Sequence, residues 1–131
     1  MIPYGRQEVT QDDIDAVVDV MKSNFLTQGP EVERFERAFA DAVQAQHAVA
    51  SNSATSSLHL AYLALGIGPG DMVWTPPISF VATANAARMC GADVDFVDVD
   101  PDTQCMCVDA LRIKLDAAKS SGTLPKLVVP V

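Results

Sequence analysis

The stretch Ala48-Val49-Ala50-Ser51-Asn52-Ser53-Ala54-Thr55-Ser56-Ser57-Leu58-His59-Leu60 constrains the chain more than any other. Its first residues suit a short buried strand, and its middle is a cluster of small hydroxyl and amide side chains. Leu58, Ala61, Tyr62 and Leu65 then recur at helical spacings of three and four. The first backbone N–H groups of a helix have no intrahelical partner, so a strand that feeds a helix through small residues makes an anion site. Ala54 keeps the approach open, while Ser53, Thr55 and Ser56 add hydroxyl groups. The same residues also suit an ordinary helix capped by Ser53 or Asn52, with no ligand. Local chemistry leaves both readings open.

The surrounding pattern alternates. Thr10 with Asp13 reads as a capped helix start, followed by an apolar stripe of Ile14, Val17, Val18 and Met21 that the pattern assigns to the interior. A loop over Asn24–Pro30 leads to a second amphipathic helix, from about Glu31 to Ala45. Val32, Phe35, Phe39 and Val43 form its expected buried face. After the central helix, Gly66 suits a C-cap and Gly68-Pro69-Gly70-Asp71 a turn. Met72–Thr75 is an expected strand, ended by Pro76-Pro77. A helix over Val81–Cys90, a strand over Val94–Val99, a helix over Asp109–Lys119 and a strand over Lys126–Val131 complete the chain. Strands near His47, Met72, Val94 and Leu127 that alternate with helices predict an α/β fold, a largely parallel sheet flanked by helices. Residues 1–45 form an N-terminal helical segment and residues 46–131 the alternating part.

Composition narrows the function. The 131 residues are 49% hydrophobic and 20% charged, which fits one globular domain or a piece of one. No uncharged apolar run approaches the roughly 20 residues that span a bilayer, and no signal-peptide pattern opens the chain. The expected location is cytoplasmic, without a membrane. The net charge of −8 argues against nucleic acid as a partner, so an anionic ligand has to be held by local N–H groups. Cys90, Cys105 and Cys107 form no disulfide framework. Asp93, Asp95, Asp98, Asp100 and Asp102 lack the spacing of a calcium loop, so no metal is expected. His47 and His59 show no partner in the sequence that would give them catalytic work.

A larger likeness decides the first junction. Asn52-Ser53-Ala54-Thr55-Ser56 with Leu58-His59-Leu60-Ala61 resembles the DegT/DnrJ/EryC1/StrS sugar aminotransferases, which use pyridoxal 5'-phosphate (PLP). The likeness continues through Ile2-Pro3-Tyr4-Gly5-Arg6-Gln7, Phe25-Leu26-Thr27-Gln28-Gly29-Pro30, Gly68-Pro69-Gly70-Asp71, Thr75–Asn85 and Phe96–Asp100, in that order. It implies the N-terminal part of the large PLP-binding domain. Within it, Ser53, Ala54 and Thr55 hold the cofactor phosphate, and Phe80, which follows the Pro76-Pro77 break, covers the pyridine ring. Tyr4, Asn24, Phe25, Leu26 and Thr27 are implied contacts of a nucleotide-sugar substrate. The branch most similar in wording aminates a UDP-linked 4-keto-6-deoxy amino sugar, taking the amino group from an amino-acid donor. The family resemblance also implies a homodimer.

One departure matters. The family forms a Schiff base through a lysine and holds the pyridine nitrogen with an acid, and neither motif is found here. Lys22, Lys114, Lys119 and Lys126 do not match the lysine motif. The expectation is an N-terminal fragment that is inactive alone and self-associates through uncovered sheet and helix faces. A non-catalytic phosphate- or nucleotide-binding α/β domain is the alternative.

Overall fold

In the computed structural model, which describes residues 5–131, Met72–Thr75 is the middle strand of a three-stranded sheet. The elements run α1 (Gln11–Lys22), α2 (Pro30–Ala42), α3 (Ala54–Ala64), β1 (Met72–Thr75), α4 (Ala82–Met89), β2 (Asp93–Phe96), α5 (Val108–Ser121) and β3 (Leu127–Val128). Successive strand residues point to opposite faces, and both faces of β1 are apolar. Val73 packs with Tyr62, Ile67, Ala86, Ala87 and Ala92 on the side of α3 and α4. Trp74 packs with Val97 and Ala118, and with Leu111 and Leu115, on the side of α5. A strand buried on both faces needs a ladder on both edges, and β1 has one: β2 and β3 pair with it in parallel, in the order β2-β1-β3. The fold is therefore α/β, with helices on both faces of a parallel sheet. Ala86 and Ala87 are fully buried, and their small side chains let α4 approach the sheet closely.

The chain divides into two units, residues 5–50 and residues 51–131. In the first, α1 begins with the expected capping box: Thr10 accepts from the Asp13 N–H, and Asp13 accepts from the Thr10 N–H at 2.8 Å. Pro30 opens α2, where its missing N–H is no loss. The apolar stripes lie on one side of each helix as predicted, but their burial does not follow. Ile14, Val17 and Met21 of α1 are exposed, as are Val32, Phe35 and Phe39 of α2 and Val43 at its end. Periodicity selects a face; only a packed neighbour buries it, and within residues 5–50 none covers these. Among the described residues, the strand expected near His47 is also absent: residues 46–51 pair with none of them as a strand. Val49 there is exposed.

In the second unit the turn chemistry follows the sequence. Gly66, just past α3, has a φ of +69°, the left-handed conformation that ends helices. The Gly68 N–H donates to Asp71 Oδ2 at 2.8 Å, closing the turn. Lys126 Nζ donates to the same oxygen at 2.8 Å and to the Gly66 carbonyl, so the entry to β3 is clamped to the turn before β1. β2 and β3 are shorter than predicted: regular pairing of β2 with β1 ends at Phe96, and two residues on, the Asp98 carboxylate accepts from the Val99 N–H. Cys107 caps helix α5, its Sγ accepting from the Ala110 N–H.

The clamp makes a prediction about acid. The hydrogen bond from Lys126, then that from the Gly68 N–H, holds the Asp71 carboxyl below its ordinary value of 3.8. A carboxyl depressed on folding stabilises above its unfolded value, and that contribution disappears as pH falls through the folded one. Asp71→Asn should therefore lower the urea midpoint at neutral pH. The difference from the unmodified chain should shrink below about pH 3.8 and vanish in stronger acid.

Candidate functional site

Only seven residues, Leu65–Asp71, join α3 to β1, so the helix runs back along the sheet to the strand's start. The N-terminus of α3 therefore lies at the carboxyl end of β1. A similarly short connection places the start of α4 at that end too. In open α/β sheets this end is where ligands bind.

At the start of α3, Ser53 is extended, with φ of −164° and ψ of 156°. Its hydroxyl accepts from the Ser56 N–H at 3.1 Å, and its carbonyl accepts from the Ser57 N–H at 3.0 Å. The cap thereby engages the Ser56 amide, and the Ser57 amide makes the first intrahelical bond. The amides of Ala54 and Thr55 have no partner among the described residues. The two sequence readings are compatible: Ser53 caps the helix, and the cap leaves two donors open to an anion. The neighbouring hydroxyls brace this turn. Ser56 Oγ donates to Asn52 Oδ1 at 2.7 Å, and the hydroxyls of Ser51 and Ser57 are 2.6 Å apart. The Ser53 side chain is thus engaged in the turn itself, while Ala54 adds nothing that would obstruct a phosphate.

Phe80 follows β1 by five residues and is 76% exposed, so it is not a core phenylalanine. Pro76 is buried and breaks the ladder, and the chain then rises into solvent. Thr75 Oγ1, at the end of β1, is buried and has no partner among the described residues. A hydrogen-bonded series that sequence reading did not single out supports the Phe80 loop. Tyr62 Oη donates to the Thr83 carbonyl at 3.0 Å, and the hydroxyls of Thr83 and Ser79 are 2.8 Å apart. The available signal was the spacing of four between Ser79 and Thr83.

The loop containing Asn24, Phe25, Leu26 and Thr27 belongs to the first unit. Phe25 and Leu26 are exposed. The loop closes on itself, with the Phe25 N–H donating to Ser23 Oγ at 3.1 Å. A side chain at Gly29 would meet Phe25 Cβ at 2.9 Å, which is why a glycine stands there. Tyr4 lies outside the described residues. A groove of about 310 Å³ in the same unit, lined by Glu33, Glu36, Arg37, Asp41 and His47, contains none of the expected site residues. His59 is half-buried on α3. The aspartates have local tasks: Asp93 pairs with Arg88 at 2.5 Å, Asp95 with Lys114 at 2.6 Å, and Asp100 accepts from the Asp102 and Thr103 N–H groups. Hydrogen bonds from Lys114 and the Phe96 N–H hold the Asp95 carboxyl below the usual carboxylate range.

A family model for the DegT/DnrJ/EryC1/StrS aminotransferases matches residues 7–131, nearly the whole chain. The chain belongs to the DegT/DnrJ/EryC1/StrS aminotransferase family. It is 43% identical over 129 residues to the UDP-4-amino-4,6-dideoxy-N-acetyl-beta-L-altrosamine transaminase of Campylobacter jejuni serotype O:23/36, covering 98% of this chain and 33% of that protein. It is also 43% identical to the spore coat polysaccharide biosynthesis protein SpsC of Bacillus subtilis, over 99% of this chain and 32% of SpsC. Among solved structures, a Brucella abortus aminotransferase of the family superposes with a TM-score of 0.83 at 35% identity, over 89% of this chain and 32% of its own. Spr1654 from Streptococcus pneumoniae, in its PLP form, gives 0.81 at 34%, over 86% and 29%. The chain thus spans about a third of the length of the curated relatives it matches.

The DegT/DnrJ/EryC1/StrS assignment can be tested against the residues present. Two open amides, the unobstructed Ala54 and the Thr55 hydroxyl fit a phosphate group, and the exposed Phe80 ring at the same end of the sheet fits a flat heteroaromatic one. Capping can be separated from ligand binding by experiment. Ser53→Ala should cost about 1 kcal/mol in urea unfolding without ligand, through the lost cap.

Proposed function

We propose that the complete protein is a PLP-dependent aminotransferase that moves an amino group from an amino-acid donor to a UDP-linked 4-keto-6-deoxy amino sugar. The observation that supports this most is the pair of open amides at Ala54 and Thr55, at the strand ends where Phe80 stands exposed. PLP, when bound, supplies an electron sink for bond breaking at the amino carbon. Ala54 and Thr55 hold its phosphate through N–H groups and the Thr55 hydroxyl, with Ser53 shaping the turn. Phe80 covers the ring and keeps water from one face. Tyr4, Asn24, Phe25, Leu26 and Thr27 contact the nucleotide sugar. The substrate class comes from the Campylobacter relative.

The Schiff-base lysine and the acid on the pyridine nitrogen belong to sequence beyond these residues, so the 131-residue chain alone is inactive in this reading. Lys114 is committed to Asp95 and lies 4.8 Å from the centre of the Trp74 ring, and Lys126 is committed to Asp71. The complete protein acts as a homodimer in the cytoplasm; no described helix is long and apolar enough to cross a membrane.

Three measurements test the reading. Ala54→Pro removes one amide while keeping the helix, since proline suits the first helical position and Ser53 is already extended as a residue before proline must be. In the complete protein it should weaken PLP binding by about 1.5–3 kcal/mol, the worth of a hydrogen bond to a charged group, with little change in melting temperature. Phe80→Ala should weaken PLP binding by about 1–3 kcal/mol. Borohydride reduction of the 131-residue chain with PLP, followed by peptide mapping, should label no single lysine stoichiometrically. Wild-type PLP affinity in Ala54→Pro would remove the phosphate assignment.

A further inference from the structure

The ring of Phe80 is exposed, so core packing does not hold it in place. Its backbone is held instead. The Phe80 carbonyl accepts from the Thr83 N–H at 3.1 Å and from Ser79 Oγ at 3.2 Å. Each hydroxyl has one proton, so if Ser79 gives its own to the Phe80 carbonyl, the 2.8 Å contact between Ser79 and Thr83 uses the proton of Thr83. Thr83 is buried, and its carbonyl receives Tyr62 Oη at 3.0 Å. Burial raises the Tyr62 pKa, which keeps the phenol protonated as a donor. Tyr62 stands on α3, eight residues or about 12 Å along the axis from Ala54. Hydrogen bonds that meet at Thr83, one on its carbonyl and one on its hydroxyl, thus link the helix that carries the open amides to the backbone of the exposed ring.

These groups are not helix caps. Helix α4 has no side-chain cap, and Ser79 Oγ donates to a carbonyl where a capping serine would accept from an amide. We infer that Tyr62, Thr83 and Ser79 are positioning residues that hold the Phe80 ring at a set distance from the phosphate amides of Ala54 and Thr55. The inference rests on the PLP reading above. Its physical content is preorganisation: a ring already held at the right height does not have to be ordered when the cofactor arrives.

The test uses the complete protein and PLP, with two readouts: the dissociation constant and the induced circular dichroism of the bound cofactor, which follows its orientation. Ser79→Ala should weaken PLP about fivefold and diminish the dichroic band, and Tyr62→Phe should act in the same direction. Ser79→Thr, which keeps the hydroxyl, should restore both. In a Phe80→Ala background, Ser79→Ala should change nothing further, because the serine acts through the ring. The urea midpoint of Ser79→Ala should stay near that of the unmodified protein, and this variant decides the matter if Tyr62→Phe does not fold. Wild-type affinity and dichroism in Ser79→Ala, or an equal loss with and without Phe80, would overturn the inference. If Ala54→Pro loses PLP in the same series, the cofactor reading then survives without the positioning role. If the unmodified protein takes up no PLP, both fall.

Discussion

The double burial of β1 is the constraint on which the second unit depends. Val73 and Trp74 are adjacent in sequence, point to opposite faces and are both almost fully removed from water. That requires helices on both sides and a strand on each edge, since unpaired backbone in such a place would be costly. Parallel pairing then requires each return to be made by a helix, as α4 does between β1 and β2 and α5 between β2 and β3. The same arrangement gathers the N-termini of α3 and α4 at the carboxyl end of β1. The candidate site is a consequence of how this strand is buried.

Electrostatics at the site are local. A chain with a net charge of −8 repels anions at long range, so only short-range donors can reverse the sign. The open amides at Ala54 and Thr55 meet that need without a charged side chain. No acid stands in the first turn of α3, whereas α1 carries Asp12 and Asp13 and α2 carries Glu31 and Glu33 in theirs. Those two helices satisfy the positive ends of their dipoles internally. Helix α3 does not, and its first turn is therefore the most favourable of the three for a phosphate.

Where expected burial and the first expected strand fail, the cause is the same. The stripes of α1 and α2 and the apolar residues before Ser51 were read from patterns in single segments. A pattern specifies which face would be buried, but burial and strand pairing each need a second surface. For Val73 that surface exists within residues 51–131. For Phe35, Phe39 and Val49 none is found within residues 5–50, and the same kind of side chain remains exposed there.

Wherever one short segment is enough, the sequence determined the outcome. The capping box at Thr10 and Asp13, the left-handed glycine after α3, the turn at Gly68–Asp71 and the cap at Ser53 all involve groups within a few residues of each other. Their energetics are local and do not wait for the rest of the fold. Motif order likewise carried the family, because it records the whole chain. Tertiary structure decided everything that joins distant segments: the strand order β2-β1-β3, the clamp of Lys126 on Asp71, and the line from Tyr62 through Thr83 and Ser79 to Phe80. No periodicity announces a hydrogen bond between residues 62 and 83. It exists because α4 packs against α3, and that contact follows from which helices cover the same face of one strand.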